Sequence, residues 1–258
     1  MKHLRGFFSR LTKSRRMMAI SAAIVAVIAV GGFLAAEFLP GKPPPSASSR
    51  PAAPVVTTTA TSSQIATVKS AIPRYSTPES PSDGTIPARW YGAVSALPVI
   101  GQQPGWYEVR LATRPNGSTA WVRAADVTIT STPYQVVVNL ATRHLELLRA
   151  GKVIMDTPAG IGTAQDPTPT GHYFLAFFEA PISSGYGPFI IVTSAHSTTI
   201  SNFEGSGDAL VGIHGPLGSD GAIGTTGARL SHGCIRLHIP DLVQLRDIPA
   251  GTPLTITD

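Results

Sequence analysis

Met17 to Ala36 (MMAISAAIVAVIAVGGFLAA) is a charge-free run of 20 residues in a chain of 258. At 1.5 Å of rise per residue, a helix of that length just crosses a bilayer. Residues 1–16 before it hold six of the chain's twenty Lys and Arg (Lys2, Arg5, Arg10, Lys13, Arg15 and Arg16) and no acid. Basic flanks stay on the cytoplasmic side, so the sequence predicts a basic cytoplasmic tail (1–16), a membrane anchor (17–36) and everything later outside the membrane. A cleaved signal segment, cut after small residues such as Ala29 and Gly31, is the rival expectation, which would leave a secreted protein. No cysteine follows the apolar run, so a lipoprotein-type lipid anchor is excluded.

The same count disposes of a nucleic-acid role. The formal charge is +5, but past residue 16 fourteen basic groups face fifteen acidic ones, a net of −1. No basic surface remains for a phosphate backbone. The single cysteine, Cys234, rules out an intramolecular disulfide framework and a Cys-rich zinc module.

Residues 37–64 are Pro, Ala, Ser and Thr with almost nothing to bury, and read as an extended linker that holds its cargo away from the membrane. From 65 to 131 short strands alternate with turn signals. Trp106 to Leu111 places Tyr107, Val109 and Leu111 on one face; Arg114-Pro115-Asn116-Gly117 is a turn, and Thr119 to Arg123 the returning strand. This pattern resembles the small SH3-like β-barrels of bacterial cell-wall proteins. Trp90, Trp106 and Trp121 are expected to fill its core, with glycan binding as the alternative.

Residues 132–258 read as mainly β. Strands are expected at Tyr134 to Leu140, Leu145 to Arg149, Val153 to Thr157, Tyr173 to Phe178, Phe189 to Thr193 and Leu254 to Thr257, with Ala150-Gly151 as a hairpin turn. One short helix is expected near Pro240 to Arg246, where Pro fits a first turn. Gly205 to Gly227 reads as a long loop, and such loops more often carry function than fill space.

The lone thiol sits in Gly212 to His238, GIHGPLGSDGAIGTTGARLSHGCIRLH. A free thiol is mostly protonated at neutral pH, so a nucleophilic Cys234 needs a nearby base or a positive environment. His214 and His232 are the candidate bases. Gly233 removes a side chain where a substrate carbonyl would approach and offers backbone N–H groups for an oxyanion hole. A zinc site of His214, His232, Cys234 and His238 matches no standard spacing, so neither metal nor cofactor is called for. His144, His172 and His196 read as ordinary strand or surface histidines.

His214, an interval of sixteen residues and then Ser231-His232-Gly233-Cys234-Ile235-Arg236 resemble the motif of the L,D-transpeptidases with the YkuD-type catalytic domain. Gly160-Ile161-Gly162, Thr168-Pro169-Thr170-Gly171-His172-Tyr173, Tyr186-Gly187-Pro188-Phe189 and Gly251-Thr252-Pro253-Leu254 extend the resemblance over about 134–257. It implies a β-sandwich-like catalytic domain, with Cys234 as nucleophile and His214 as its base. The Gly215 carbonyl would orient the imidazole, at a position where other members use Ser.

By the same resemblance His232 shapes the pocket rather than taking the first proton, with Ser231 and Gly233 beside it at the oxyanion. Arg236 is expected to hold a substrate carboxylate, or else to serve as a structural ion-pair partner, and Tyr186 and Phe189 either line the substrate groove or simply pack. The implied reaction is peptidoglycan cross-linking between donor and acceptor stem peptides through a Cys thioester. Outside the membrane there is no ATP, so the energy of the new bond must come from one already in the substrate. Water as acceptor would make the protein a carboxypeptidase. A sortase-like transpeptidase would want Thr before the Cys and a longer His-to-Cys interval, and a non-catalytic wall-binding protein would leave the motif idle.

Overall fold

The structure is a computed structural model that describes residues 61–225 and 227–258. The basic tail, the apolar run and the linker up to residue 60 lie outside the described residues. Among the described residues no helix is long and apolar enough to cross a membrane. The expected linker ends slightly early, because Ser63 and Gln64 already belong to the first strand.

Among the described residues nine strands precede residue 133: β1 (Ser63–Val68), β2 (Ile72–Tyr75), β3 (Ser82–Ile86), the small hairpin β4 (Arg89–Trp90) and β5 (Ala93–Val94), β6 (Ala96–Gln103), β7 (Trp106–Arg110), β8 (Thr119–Arg123) and β9 (Val127–Thr132). Seven of them form one sheet in the order β3-β2-β8-β7-β6-β1-β9. The expected hairpin is present, with Trp106 opposite Arg123 and Arg110 opposite Thr119. Val109 and Leu111 point inward as their alternation requires.

The tryptophans depart from expectation: all three are only half-buried. Trp106 meets Tyr75 edge-on at 4.9 Å with the Arg123 guanidinium over both rings, and Trp90 meets Phe177 at 5.8 Å. The core is filled by smaller aliphatics instead, among them Ala66, Val68, Ile72, Leu97, Val109 and Val122.

The second half contributes β10 (Tyr134–Asn139), β11 (His144–Arg149), β12 (Lys152–Pro158), β13 (Ile161–Gly162), β14 (Gly171–Glu179), β15 (Ile190–His196), β16 (Leu210–His214), β17 (Arg229–Ser231), β18 (Ile235–Arg236), one helix α1 (Ile239–Gln244) and β19 (Pro253–Thr257). Eight of these strands build a mixed sheet in the order β12-β11-β10-β19-β14-β15-β16-β18, while β13 pairs with β17. The Ala150-Gly151 hairpin and the Pro-initiated helix fall where the sequence places them.

Strands β14 and β15 are apolar on both faces for a reason. Tyr173, Leu175, Ile191 and Ala195 enter the core of the second half. Phe174, Ala176, Phe177, Ile190 and Val192 enter the core begun by the first. A strand covered on both sides loses the alternation of a half-exposed one. The two halves form a single compact unit.

Polar contacts join them too. Arg114 donates to Asp208 Oδ1, Ser197 O and Ile200 O at 2.9–3.1 Å, and the Asn116 amide both donates to and accepts from the His196 backbone. His196 is buried between Asp208 and the Ala112 carbonyl. These groups fix the start of the segment that leads into β16.

That segment corrects the expected loop from Gly205 to Gly227, because β16 lies within it. Val211 and Ile213 point into the core, while Gly212 and His214 occupy the opposite face. The glycines around the strand hide it in sequence, yet its alternation is regular.

Candidate active site

Parallel pairing of β16 with β18 sets Ile213 beside Ile235 and His214 beside Arg236. One residue back, Gly212 and Cys234 come together, and the Gly212 amide donates to Cys234 Sγ at 3.4 Å. A Cβ added at Gly212 would lie 3.7 Å from His214 Cδ2 and 3.8 Å from Cys234 Sγ. The imidazole edge and the sulfur therefore flank the same point beside Gly212, with Ile190 Cγ2 closer still at 3.3 Å. The structure thus brings together the two residues expected to carry catalysis, and adds Gly212, for which the Gly-x-His spacing is the signal in the sequence.

His214 is 2% exposed. Its Nδ1 lies 2.7 Å from the Gly215 carbonyl oxygen. A carbonyl can only accept, so Nδ1 carries the proton and Nε2 presents a lone pair. Tyr186 packs its ring 4.7 Å from the imidazole, and its carbonyl accepts the Gly215 amide at 2.8 Å. The Gly215 carbonyl thus makes the hydrogen bond to the imidazole that the resemblance implies for it.

Burial lowers the His214 pKa from 6.5 to about 4; the Gly215 hydrogen bond opposes this and the Arg236 charge adds to it. Burial likewise pushes the Cys234 thiol up, against the Gly212 N–H and the Arg236 charge. The resting pair is accordingly a neutral thiol beside a neutral imidazole. This differs from the activated thiolate that nucleophilic cysteines often present, because low local polarity penalises both charged partners.

A stability consequence follows. Below pH 6.5 the unfolded chain takes up a proton on His214 that the folded chain refuses until about pH 4. Stability from this group is complete above pH 6.5, is lost as pH falls to 4, and is flat below. The loss amounts to about 3 kcal/mol. Denaturant unfolding of wild type and His214→Asn at pH 7 and pH 4 checks it: wild type should lose more by about that amount, and equal losses would refute a buried neutral His214.

The nucleophile loop runs from Ser231 to Cys234. Gly233 sits at φ +116°, which disfavours any other residue. Ser231 Oγ accepts the Gly233 amide at 3.1 Å and donates to the Cys234 carbonyl at 2.5 Å, so the Gly233 N–H is committed inside the loop. Arg236 donates through one guanidinium nitrogen to Ser219 Oγ at 3.0 Å, while its buried Nε has no partner among the described residues.

His232 stands apart from the buried pair. Its side chain is 66% exposed, 4.0 Å from Asp166 Oδ2 and 6.0 Å from the Phe203 ring centroid. Of the two expectations for Phe189 the structure shows packing: at 6% exposure it belongs to the core, against Phe178 and under the Arg246 guanidinium. Tyr186 remains at the site.

Residues 133–256, just under half of the chain, match the family model of the YkuD L,D-transpeptidase catalytic domain. A Bacillus subtilis protein curated under the L,D-transpeptidase name YkuD is 26% identical over 125 residues, spanning 48% of this chain and 66% of that protein. Among solved structures, an L,D-transpeptidase from Mycobacterium smegmatis is 17% identical, with TM-score 0.39 over 63% of this chain and 90% of that one. One from Stackebrandtia nassauensis is 22% identical, with TM-score 0.35 over 48% and 55%.

Proposed function

We propose that this protein is a peptidoglycan L,D-transpeptidase working through a Cys234 thioester. One observation carries the reading: a buried His214, locked as the Nδ1–H tautomer by Gly215, beside the chain's only thiol. A neutral imidazole with a free Nε2 is the form a general base must take.

In the proposed cycle His214 Nε2 takes the thiol proton as Sγ attacks the amide carbonyl between the third and terminal residues of a donor stem. The Cys234 amide faces the developing oxyanion, since the Gly233 amide is occupied by Ser231. Collapse breaks the C–N bond, His214 returns the proton to the departing amine, and a D-amino acid leaves. An amine of a neighbouring stem then attacks the thioester, gives its proton to His214, and Sγ recovers it as the new amide forms. Arg236 lowers the cost of negative charge at sulfur. The membrane anchor, a cell-wall location and an SH3-like module before the catalytic domain belong to the same reading.

Incubating the full chain with stem tetrapeptide tests it, with masses read on peptide and protein. The expected products are free terminal D-amino acid, a thioester on Cys234 and cross-linked dimer, and imipenem should acylate the same thiol because the opened lactam mimics the acyl-enzyme. Tripeptide without dimer would assign a carboxypeptidase. Unchanged peptide and no adduct on a protein whose thiol still titrates would refute the proposal.

A further inference from the structure

The loop from Thr163 to Thr170 lies directly behind the nucleophile loop. Gly162 pairs with Ser231, and the Thr163 amide donates to the Ser231 carbonyl at 3.0 Å. The chain then folds back over Gly162 so closely that a Cβ there would meet Asp166 O at 2.3 Å and Thr168 N at 2.5 Å. This fold-back delivers Thr168, 3% exposed, to the underside of the Cys234 loop. Its hydroxyl accepts the Gly162 amide at 2.9 Å and donates to the Gly233 carbonyl at 2.8 Å.

Gly233 C=O is one end of the Gly233–Cys234 peptide group. In a planar trans peptide the following N–H points opposite to the carbonyl. Pinning the oxygen toward Thr168 therefore turns the Cys234 N–H the other way, off the buried side of the loop. The neighbouring peptide plane is pinned as well, by Ser231 on the Cys234 carbonyl. Without Thr168 the Gly233 carbonyl would be buried without its donor, and a glycine at φ +116° offers little resistance to rotation of the plane.

We infer that Thr168 is a positioning residue for acyl transfer, whose hydroxyl holds the Gly233–Cys234 peptide so that the Cys234 N–H meets the acyl oxygen. The inference rests on the transpeptidase reading above. A hydroxyl suits the place because it must accept from one backbone group and donate to another at once, and the β-branch of threonine restricts its rotamer.

Two reactions of Cys234 separate this role from a merely structural one. Acylation by imipenem passes through an oxyanion, whereas alkylation by iodoacetamide displaces iodide directly at carbon and needs no oxyanion donor. In the full chain, Thr168→Val should slow acylation about ten- to hundredfold, somewhat less than outright loss of an oxyanion donor. Alkylation should stay within about twofold, and Thr168→Ser should restore most of the acylation.

Acylation at the wild-type rate in Thr168→Val, or equal falls in both rates, would overturn the inference. Melting curves establish that each variant is folded; if Thr168→Val is not, Thr168→Ala is judged by the same two rates. Wild type that alkylates but never acylates would instead overturn the transpeptidase reading, and this inference with it.

Discussion

Cys234→Ala is expected to abolish both the imipenem adduct and cross-linking, and His214→Ala to slow acyl transfer about a thousandfold while remaining folded. The first follows because the chain holds no second thiol. The second follows from the state of the pair. Burial raises the thiol pKa, so without its base Cys234 must react through a very small thiolate fraction.

The residual rate of His214→Ala should then climb close to tenfold per pH unit through the neutral range. Wild type should be nearly flat there and fall only as pH approaches the His214 value of about 4. Pre-steady-state acylation across pH 4 to 9 measures both profiles. His232→Ala should cost far less, its ring being exposed and paired only loosely with Asp166. Equal damage from His214→Ala and His232→Ala, with both melting like wild type, would mean that His232 is the base.

The chemistry is more legible in the sequence than its setting. Cys234 and His214 stand out because a lone thiol set among glycines and histidines has what a nucleophile needs, a base and room for a carbonyl, within one short segment. The 106–123 hairpin stands out because its alternation and turn are regular. Several features depend on the third dimension. Strand β16 hides among glycines, although Gly212 belongs to it and lies between the imidazole and the sulfur. Phe189 looks like a groove residue beside Tyr186, but the turn through Gly187 at φ +84° sends one ring to the imidazole and the other to the core.

Another is the electrostatic state of the site. A positive neighbour, Arg236, points to an activated thiol; burial outweighs it, and burial has no local sequence signal. Likewise nothing in the spacing of Arg114, Asn116, His196 and Asp208 says that they meet, since Arg114 and Asp208 stand 94 positions apart and Asn116 and His196 stand 80 apart. The tryptophans also mislead, because a large aromatic on the outer face of a sheet can cover a core without entering it.

Gly215→Ser tests how tightly this setting is built. Serine occupies the position in other members of the resembling family, so the exchange looks mild in sequence. In this protein a Cβ at 215 would lie 2.9 Å from the Gly185 carbonyl oxygen, 2.9 Å from the Gly187 nitrogen and 2.8 Å from Ile239 Cδ1. The isoleucine can rotate, but the two backbone atoms belong to the turn that carries Tyr186 and cannot yield without moving it. Displacing that turn takes the aromatic ring off His214 and strains the Tyr186 carbonyl bond to the Gly215 amide. The Gly215 carbonyl, which fixes the imidazole tautomer, then shifts with its own peptide.

A displacement on the order of 1 Å at a base costs about a hundredfold in rate, and Gly215→Ser should lose at least that much acylation. Iodoacetamide alkylation of Cys234 at pH 9, where the base matters less, should stay closer to wild type. Acylation within about threefold of wild type at neutral pH would show that the turn can move without disturbing His214, and that the base is held by something other than its neighbour's carbonyl.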